Sequence, residues 1–140
     1  MKWSKYSIKL DQRVTHRHVY SAEQIGAQSP KRVLDVGCGF GATLSLLDPL
    51  IFKVGIEQSV SAAKIAPHNS KASIVVASAT SLPFLADSFN VVGLFEVLEH
   101  IDIKYHRSTL LEMWRVLEKD GFLCMSVPHQ HPVSNILDPA

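Results

Sequence analysis

This sequence of 140 residues has few cysteines, almost no excess of one charge sign and no long apolar run. The two cysteines, Cys38 and Cys124, form no CxxC pair, which argues against a disulfide framework or a zinc knuckle and favours reduced thiols. The formal net charge is +1, so charge gives no reason to expect a nucleic acid or a membrane as a partner. No window approaches the ~20 apolar residues of a membrane span, and charges interrupt the N-terminus too often for a signal peptide. These absences predict a cytoplasmic protein.

Apolar runs alternate with helical patterns along most of the chain. The runs that predict strands are, in order, residues 32–36, 52–56, 73–77, 90–95 and 122–127. Their alternation with helices predicts an α/β fold, a doubly wound and mainly parallel sheet with right-handed crossovers and the strand order 3-2-1-4-5. In such sheets a ligand binds beyond the carboxyl ends of the strands, where the order reverses between the first and the fourth.

Helical signals lie between these runs. Short helices are expected at residues 15–27 and 42–47, and another from the capping residue Ser59 to Ala66, where Pro67 closes it. These helices supply the crossovers of the predicted sheet and a segment in front of it.

The clearest helical periodicity lies in residues 104–121. Leu110, Trp114 and Leu117 recur at i, i+4 and i+7, which predicts an apolar face with Trp114 in the core. Gly121 suits a left-handed helix end. The fifth strand is expected to begin directly after it.

Three glycines follow the first predicted strand in the stretch VLDVGCGFG, residues 33–41. Gly37, Gly39 and Gly41 let this turn adopt conformations barred to other residues, and they let a ligand touch the main chain. The following helix offers unpaired N–H groups at its start. The letters GCGFGA also satisfy the dinucleotide fingerprint G-x-G-x-x-G/A, while a tight turn without a ligand is the plain structural alternative.

Two acids restrict the ligand further. Asp35 stands near the end of the first strand, where a buried carboxylate is costly unless a cation or several donors meet it. Glu57 ends the second strand, where an acid accepts hydrogen bonds from ribose hydroxyls in other doubly wound sheets. The ligand is therefore expected to carry a ribose and a positive charge.

Five motifs, in order over residues 31–128, resemble those of the class I S-adenosylmethionine-dependent methyltransferases, and among them the methyltransferase type 11 domains. They are VLDVGCGFG (33–41), GIEQS (55–59), SLPFLADSFNVV (81–92), EVLEHI (96–101) and EMWRVLEKDGFL (112–123). The resemblance implies a Rossmann-like methyltransferase fold, S-adenosyl-L-methionine as cofactor and transfer of its methyl group to an acceptor. Relatives of this kind continue past the fifth strand with two more, so the chain is expected to be a fragment or a short protein.

The resemblance also assigns contacts to the cofactor. The glycine turn would lie against its methionine part, Asp35 would hold the amino group through water, and Glu57 would take the ribose hydroxyls. Gln58 and the turn after the third strand would meet adenine, and the main chain at Phe95 would face the methionine ammonium. The residues so implied are Asp35, Gly37, Cys38, Gly39, Gly41, Glu57, Gln58, Ser78, Ala79, Thr80 and Phe95.

Methyl transfer is an in-line displacement that needs alignment and exclusion of water more than acid–base groups. For a hydroxyl acceptor a general base helps, and His100 is the first candidate, with a histidine that only orients its loop as the alternative. Glu96 and Glu99 are weaker candidates, one of which is expected to be only a solvated loop acid.

Other residues that could carry chemistry have plainer explanations. His129 and His131 lack a third ligand of suitable spacing, so no metal site is predicted. Cys38 is expected to act through its backbone, because it lies inside the glycine turn.

Several residues depart from the family pattern. Ser78 replaces an acid that would contact adenine. Asn90 replaces the aspartate that ends the family's S-F-D segment, which reads S-F-N here at residues 88–90, and Asp120 replaces the proline that commonly precedes the glycine at position 121. The segment after the fourth strand also lacks the Asn-Pro-Pro-aromatic signature of relatives that methylate nucleobase or glutamine amines. A small-molecule acceptor is therefore expected.

The predicted organisation is an N-terminal cap segment over the site at 1–30, a cofactor-binding methyltransferase domain at 31–128 and a tail at 129–140. An uncovered fifth strand invites pairing along its edge, so a homodimer through that edge is a possible outcome, with cover by the tail as the alternative. Two other functions stay open. One is a non-catalytic cofactor-binding partner subunit, and the other is a nicotinamide-dependent oxidoreductase.

Overall fold

The computed structural model describes residues 14–129. It contains a parallel five-stranded sheet with the order β3-β2-β1-β4-β5, which confirms the predicted fold class and strand order. The elements in chain order are α1 (His16–Gly26), β1 (Arg32–Val36), α2 (Ala42–Ser45), β2 (Phe52–Glu57), α3 (Val60–Ser70), β3 (Ser73–Val76), β4 (Phe89–Phe95), α4 (His106–Val116) and β5 (Leu117–Ser126), with short 3₁₀ turns at Leu98–His100 and Ile103–Tyr105. None of these helices has both the length and the apolar character needed to cross a membrane.

The adjacent strands β1 and β4 are buried on both faces. Along β1, Val33 packs into one apolar cluster with α1 and α2, while the next residue, Leu34, packs into the opposite cluster with α4. This division follows from the pleat, which sends successive side chains to opposite faces. Each fully buried Val or Leu contributes about 1.5–3 kcal/mol, so the carboxyl ends of β1 and β4 are held firmly. These are the ends that border the site.

Helix α3 extends beyond its predicted end. Ser59 caps it as expected, its Oγ accepting a hydrogen bond from the Ala62 N–H at 3.3 Å, but Pro67 lies inside the helix, which continues to Ser70. The prediction that Pro67 ends the helix is therefore wrong. Both Ala66 and Ser70 are buried, so packing of the last turn favours helix geometry despite the missing N–H of proline.

The predicted apolar face of α4 is wrong at Trp114, although Leu110 packs against the core and Leu117 belongs to it. Trp114 is 78% exposed, and the buried residues of this helix are Thr109, Met113 and Val116. The helix ends at Val116 and passes directly into β5, which begins at Leu117 instead of residue 122. The buried stripe of α4 therefore runs along Thr109, Met113 and Val116, at i, i+4 and i+7.

Gly121 does not end a helix, contrary to the prediction. It lies within β5, and the residue with left-handed backbone is Asp120, with a φ of 65°. A Cβ on Gly121 would lie 3.0 Å from the Asn90 carbonyl oxygen, so its missing side chain lets β5 approach β4 closely. This is the part of the pair where the register shifts.

An ion pair on α4 holds the segment that leads into β4. Arg115 donates bidentate hydrogen bonds to Glu112, and it also donates to the carbonyl oxygens of Leu82 and Phe84 at 3.0 and 2.7 Å. Glu112 in turn accepts from the Leu82 N–H at 2.7 Å, and the hydrogen bonds from Arg115 lower the pKa of Glu112. The E-x-x-R and L-P-F motifs of the sequence thus form one clamp.

Asn90 explains one departure from the family pattern. Its Oδ1 accepts hydrogen bonds from the N–H groups of Lys31 and Arg32, each at 2.9 Å, and its amide donates to the Ser29 carbonyl at 3.4 Å. An aspartate could accept the first two bonds but could not donate the third. Asn90 therefore fastens the chain at the start of β1, far from the carboxyl ends of the strands.

Candidate functional site

The glycine turn follows β1 and is hydrogen-bonded to the carboxyl end of β2. The N–H groups of Gly37 and Cys38 both donate to the Ile56 carbonyl, at 2.8 and 2.9 Å. Gly37 and Gly39 have φ values of 78° and 54°, in the left-handed region that favours glycine. A Cβ on Gly37 would collide with Val97, whereas a Cβ on Gly39 would meet no atom within 4 Å. Gly39 thus presents bare main chain to open space.

Gly41 has a packing role that the sequence did not predict, and its cofactor contact stays a prediction. It borders neither of the cavities described below, and its φ of 83° places it at the start of α2. A Cβ there would lie 2.9 Å from the Ser70 Cβ and 3.0 Å from the Ala66 carbonyl oxygen. The third glycine therefore permits close packing of α2 against α3.

Glu57 is aimed by two backbone donors. Its Oε2 accepts a hydrogen bond from the Gly39 N–H at 2.8 Å, and its Oε1 accepts one from the Ser59 N–H at 2.7 Å. Each carboxylate oxygen has a second lone-pair direction that these bonds do not use. Glu57 is thus oriented by the glycine turn and keeps acceptor capacity for a ligand hydroxyl.

Asp35 is buried beneath the same turn, with 4% of its surface exposed. Burial, followed by the negative charge of Glu57, raises its pKa from 3.8 to about 7. A Cβ at position 93 would lie 3.3 Å from the Asp35 Oδ1, so Gly93 on β4 leaves room for this carboxyl group. Burial also raises the pKa of the Cys38 thiol, and the negative charges of Asp35 and Glu57 raise it further. This thiol is therefore protonated at neutral pH.

Two cavities open at this edge of the sheet. The smaller has a volume of about 460 Å³, and the larger about 1140 Å³. Gly37 and Glu96 line both, so the cavities meet at the ends of β1 and β4. The predicted residues that line the smaller are Gly37, Glu57, Gln58, Ser78, Ala79, Thr80, Glu96 and His100, and those that line the larger are Asp35, Gly37, Cys38, Gly39, Phe95, Glu96 and His129.

The turn after β3 is closed by its own hydroxyls. Ser78 Oγ lies 2.8 Å from Thr80 Oγ1 and accepts from the Thr80 N–H at 3.2 Å. Ser78 therefore shapes this wall of the smaller cavity, in the place where the family pattern has an acid.

Glu96 has a left-handed backbone with a φ of 54°, which is uncommon for a residue with a side chain. Its N–H donates to the Ser126 carbonyl at 3.0 Å, and its Oε1 accepts from the Ser126 hydroxyl at 2.9 Å. Its Oε2 lies 4.0 Å from the Arg17 Nη1. Strained backbone of this kind is concentrated at functional sites, and here two bonds from one residue hold it.

His100 and Glu99 occupy unlike surroundings. The His100 side chain is 79% exposed, and its Nε2 lies 3.8 Å from the Glu99 Oε1. The Glu99 side chain is only 7% exposed and lines neither cavity, while that of Glu96 is 28% exposed. The expectation that one of the two glutamates is merely a solvated loop acid is therefore wrong.

Sequence reasoning missed several residues that line the cavities. Arg17 and Tyr20 come from α1, Tyr105 from the turn before α4, and Ser126 from the end of β5. Ser126 could have been found, because it follows the rule that strand ends border the site. Arg17 belongs to the predicted N-terminal cap, but no motif marks it individually. His131 lies outside the described residues. Within residues 14–129, no three His, Cys, Asp or Glu side chains come together as a metal site would require.

The parallel sheet, with a glycine turn after β1 and an acid at the end of β2, defines a doubly wound α/β protein. Residues 34–125 match the methyltransferase domain family. The chain therefore belongs to this family, the class I S-adenosylmethionine-dependent methyltransferases, as its five motifs predicted.

Proteins of similar sequence and structure are longer than this chain. It is 36% identical over 106 residues to an uncharacterized protein of Methanocaldococcus jannaschii, covering 75% of this chain and 40% of that protein. The YcgJ protein from Bacillus subtilis superposes with a TM-score of 0.70 at 23% identity, covering 89% of this chain and 59% of that one. The N-methyltransferase NodS from Bradyrhizobium japonicum WM9, solved in complex with S-adenosyl-L-homocysteine, gives a TM-score of 0.69 at 21% identity, covering 83% and 63%.

Proposed function

We propose that this chain binds S-adenosyl-L-methionine and takes part in transferring its methyl group to a small-molecule acceptor. The observation that carries the proposal is the bond between Glu57 and the Gly39 N–H, at the edge of two cavities that meet at Gly37 and Glu96. This arrangement offers a ribose acceptor, a bare main-chain surface and a continuous cleft in one place.

The residues present fit such a cofactor. Glu57 has the acceptor capacity for ribose hydroxyls, and Gly39 leaves the space beside it clear. Asp35 is an acid whose ionised form is disfavoured by burial, so a cationic ligand group nearby would stabilise it. Gln58 and the turn at 78–80 line the smaller cavity, where the proposal puts adenine.

When bound, the cofactor supplies a methyl group on a positively charged sulfur. The residues of the chain then have to orient the acceptor, exclude water and receive the proton that the acceptor loses. Glu96 is the better placed of the two predicted catalytic residues, because it lines both cavities and its carboxylate is held by Ser126. His100 lines only the smaller cavity and is largely exposed, so we assign it the lesser part.

Calorimetry with S-adenosyl-L-homocysteine on the wild type and on Glu57→Gln tests the cofactor site. The amide can accept hydrogen bonds with only one of its two terminal atoms, so the variant should lose about 1.5–3 kcal/mol, or roughly 10- to 150-fold in Kd. Glu118→Gln is the matched control, because Glu118 is an exposed acid on β5 away from both cavities. Equal affinity of Glu57→Gln and wild type would contradict the site.

Two further outcomes separate the alternatives. Tight binding of the nucleoside with no methyl transfer across a panel of small acceptors would favour a non-catalytic binding subunit. Binding of a nicotinamide dinucleotide in preference to S-adenosyl-L-methionine would favour an oxidoreductase and would overturn the proposal.

A further inference from the structure

Strand β5 lies at an edge of the sheet, and its two halves are unlike. The first half carries Glu118, Lys119 and Asp120, and its pairing with β4 is irregular, with Asp120 in left-handed backbone. Charges and bulges of this kind hinder an edge strand from pairing with another chain. The second half lacks both, because residues 121–127, the uncharged window, hold no charged side chain before Pro128. This window is therefore the unprotected part of the edge.

The uncharged window offers main-chain groups to a further strand. The Ser126 carbonyl accepts from the Glu96 N–H at 3.0 Å, so the N–H and C=O groups of Ser126 point toward β4. These groups alternate in direction along a parallel strand, so those of Leu123 and Met125 point away from β4. Within residues 14–129, β5 has β4 as its one neighbour in the sheet. The opposite edge strand, β3, has only four residues, which limits such pairing there.

A second copy of the chain fits the uncharged window in one antiparallel register. When the window is centred on itself, Cys124 of one copy lies opposite Cys124 of the other, and Leu123 lies opposite Met125. Leu123 and Met125 then exchange both of their outward hydrogen bonds, while the two Cys124 residues form a non-hydrogen-bonded pair. A shift by one residue toward the amino end would bring Lys119 into the pairing, and a shift toward the carboxyl end would bring in Pro128, which has no N–H to donate.

Trp114 lies on the side of α4 that faces the β5 edge. Met113 points into the core, and Glu112, on the other flank of the helix, accepts from the Leu82 N–H in the segment between β3 and β4. Because β3 is at the far edge of the sheet from β5, this segment reaches α4 from the β3 side. Trp114 points away from it and is 78% exposed. A large apolar ring is thus left beside the uncharged window.

Exposed apolar side chains occur on both faces of the edge. A stable interface buries about 1,200–2,000 Å² in total, so side chains beside the paired strands have to contribute. A twofold axis perpendicular to the sheet keeps both copies of α4 on one face, where each Trp114 can bury about 150–250 Å². On the other face Phe122 is 50% exposed, and the register puts it opposite Ser126. The second copy therefore finds apolar partners above and below the strands.

We infer that two copies of this chain pair antiparallel through residues 121–127, with Cys124 on the twofold axis and Trp114 of each copy beside the paired strands. The inference goes beyond the proposed function and does not depend on it. The pairing makes one continuous sheet whose two clefts open at opposite ends. It also supports the end of β5, where the Ser126 hydroxyl donates to Glu96 at the border of both cavities.

Disulfide cross-linking reads the register directly. Cys38→Ser leaves Cys124 as the one cysteine of the chain, and four further variants in a Cys38→Ser, Cys124→Ser background move it along the strand. These variants are Phe122→Cys, Leu123→Cys, Met125→Cys and Ser126→Cys. Diamide oxidises two thiols to a disulfide and takes up their two protons and two electrons, and covalent dimer is measured on a non-reducing denaturing gel.

We expect the yield of covalent dimer to be highest for Cys124 and at least several-fold lower at the other four positions. Opposed residues of a non-hydrogen-bonded pair have Cα atoms about 4.5 Å apart, within the range of about 4.4–6.8 Å that a disulfide spans. A maximum at another position would overturn the register. Absence of cross-linking at all five positions would overturn the pairing.

Sedimentation velocity on the wild type, Trp114→Ser and Leu85→Ser tests the contribution of the tryptophan. Leu85 is 84% exposed and follows Phe84, which Arg115 binds on the other flank of α4, so Leu85→Ser is the matched control. We expect Trp114→Ser to weaken the dimer by about 10- to 100-fold in Kd and Leu85→Ser to stay within about twofold of the wild type.

Equal losses in Trp114→Ser and Leu85→Ser would overturn the part assigned to Trp114. A wild type that is monomeric at every concentration and forms no cross-link would overturn the whole inference. The edge would then be left to residues 130–140 or to a different protein.

Discussion

Replacing Asp35 with asparagine should stabilise the free protein and weaken its hold on the cofactor. Burial, followed by the negative charge of Glu57, raises the pKa of Asp35 from 3.8 to about 7. Each tenfold change in an acid's ionisation constant is worth about 1.4 kcal/mol. Keeping the ionised carboxylate in this place therefore costs the folded protein on the order of 4 kcal/mol relative to the unfolded chain.

The pH dependence of stability follows from whether Asp35 is protonated in the folded protein and in the unfolded chain. Below about pH 4 the folded and unfolded states both carry it. Between about pH 4 and 7 the unfolded chain releases it while the folded protein keeps it, so wild-type stability falls as the pH rises, and above about pH 7 the full cost is present. At pH 8 the asparagine variant should gain about 1–3 kcal/mol, less than the full cost because a buried amide also needs partners.

Urea unfolding at pH 5 and at pH 8, without ligand, measures this difference. The gain of Asp35→Asn should be largest at pH 8 and shrink toward pH 5, while the exposed control Asp87→Asn should show no such trend. S-adenosyl-L-homocysteine, which carries an ammonium group, should then stabilise the variant less than the wild type. A variant that is less stable at pH 8, or a gain that is equal at both pH values, would refute the account of the Asp35 environment.

Two further substitutions test the packing, and one measurement of oligomeric state tests the edge of the sheet. Gly41→Ala should lose more than about 1 kcal/mol of unfolding free energy, because its φ of 83° and the contact with Ser70 both oppose a side chain, whereas the control Gly26→Ala should lose none. Arg115→Met should lose about 1–3 kcal/mol with its hydrogen bonds to the segment before β4, and an unchanged urea midpoint would speak against the clamp. We also propose a homodimer through the β5 edge, because within residues 14–129 this strand pairs only with β4, and a monomer at every concentration in sedimentation velocity would exclude it.

The sheet could be predicted because its buried strands are visible in the sequence as apolar runs. The buried runs around Val33 and Val91 are nearly uninterrupted apolar segments, as expected for strands covered on both faces. Once five such runs alternate with helices, right-handed crossovers leave few possible strand orders. The assignment of residues 1–30, 31–128 and 129–140 to separate parts stays a prediction, as does a cytoplasmic location.

The candidate site could be predicted only where it follows strand ends. Asp35, Glu57, Ser78 and Glu96 each stand at or after the carboxyl end of a strand, and the topology brings these ends to one edge. Arg17 reaches the same edge through the packing of α1 against α2, β4 and β5, which is tertiary structure that no local pattern encodes. Gly41 shows a different limit of the sequence. A glycine required by a cofactor motif and a glycine required for helix packing look the same in a sequence.

The boundary between α4 and β5 shows why a local misreading did not disturb the site. Helical periodicity continues through Leu117 in the sequence, yet pairing with Phe89 makes Leu117 the first residue of a strand, and no loop separates the two elements. The uncertain start of β5 does not affect its carboxyl end, because the register there is fixed by pairing with β4, in which Phe95 lies opposite Ser126. That pairing brings the Ser126 carbonyl and hydroxyl to Glu96. The bonds that hold the left-handed backbone of Glu96 therefore depend on the end of β5, which lies within one residue of its predicted position, and not on where the strand begins.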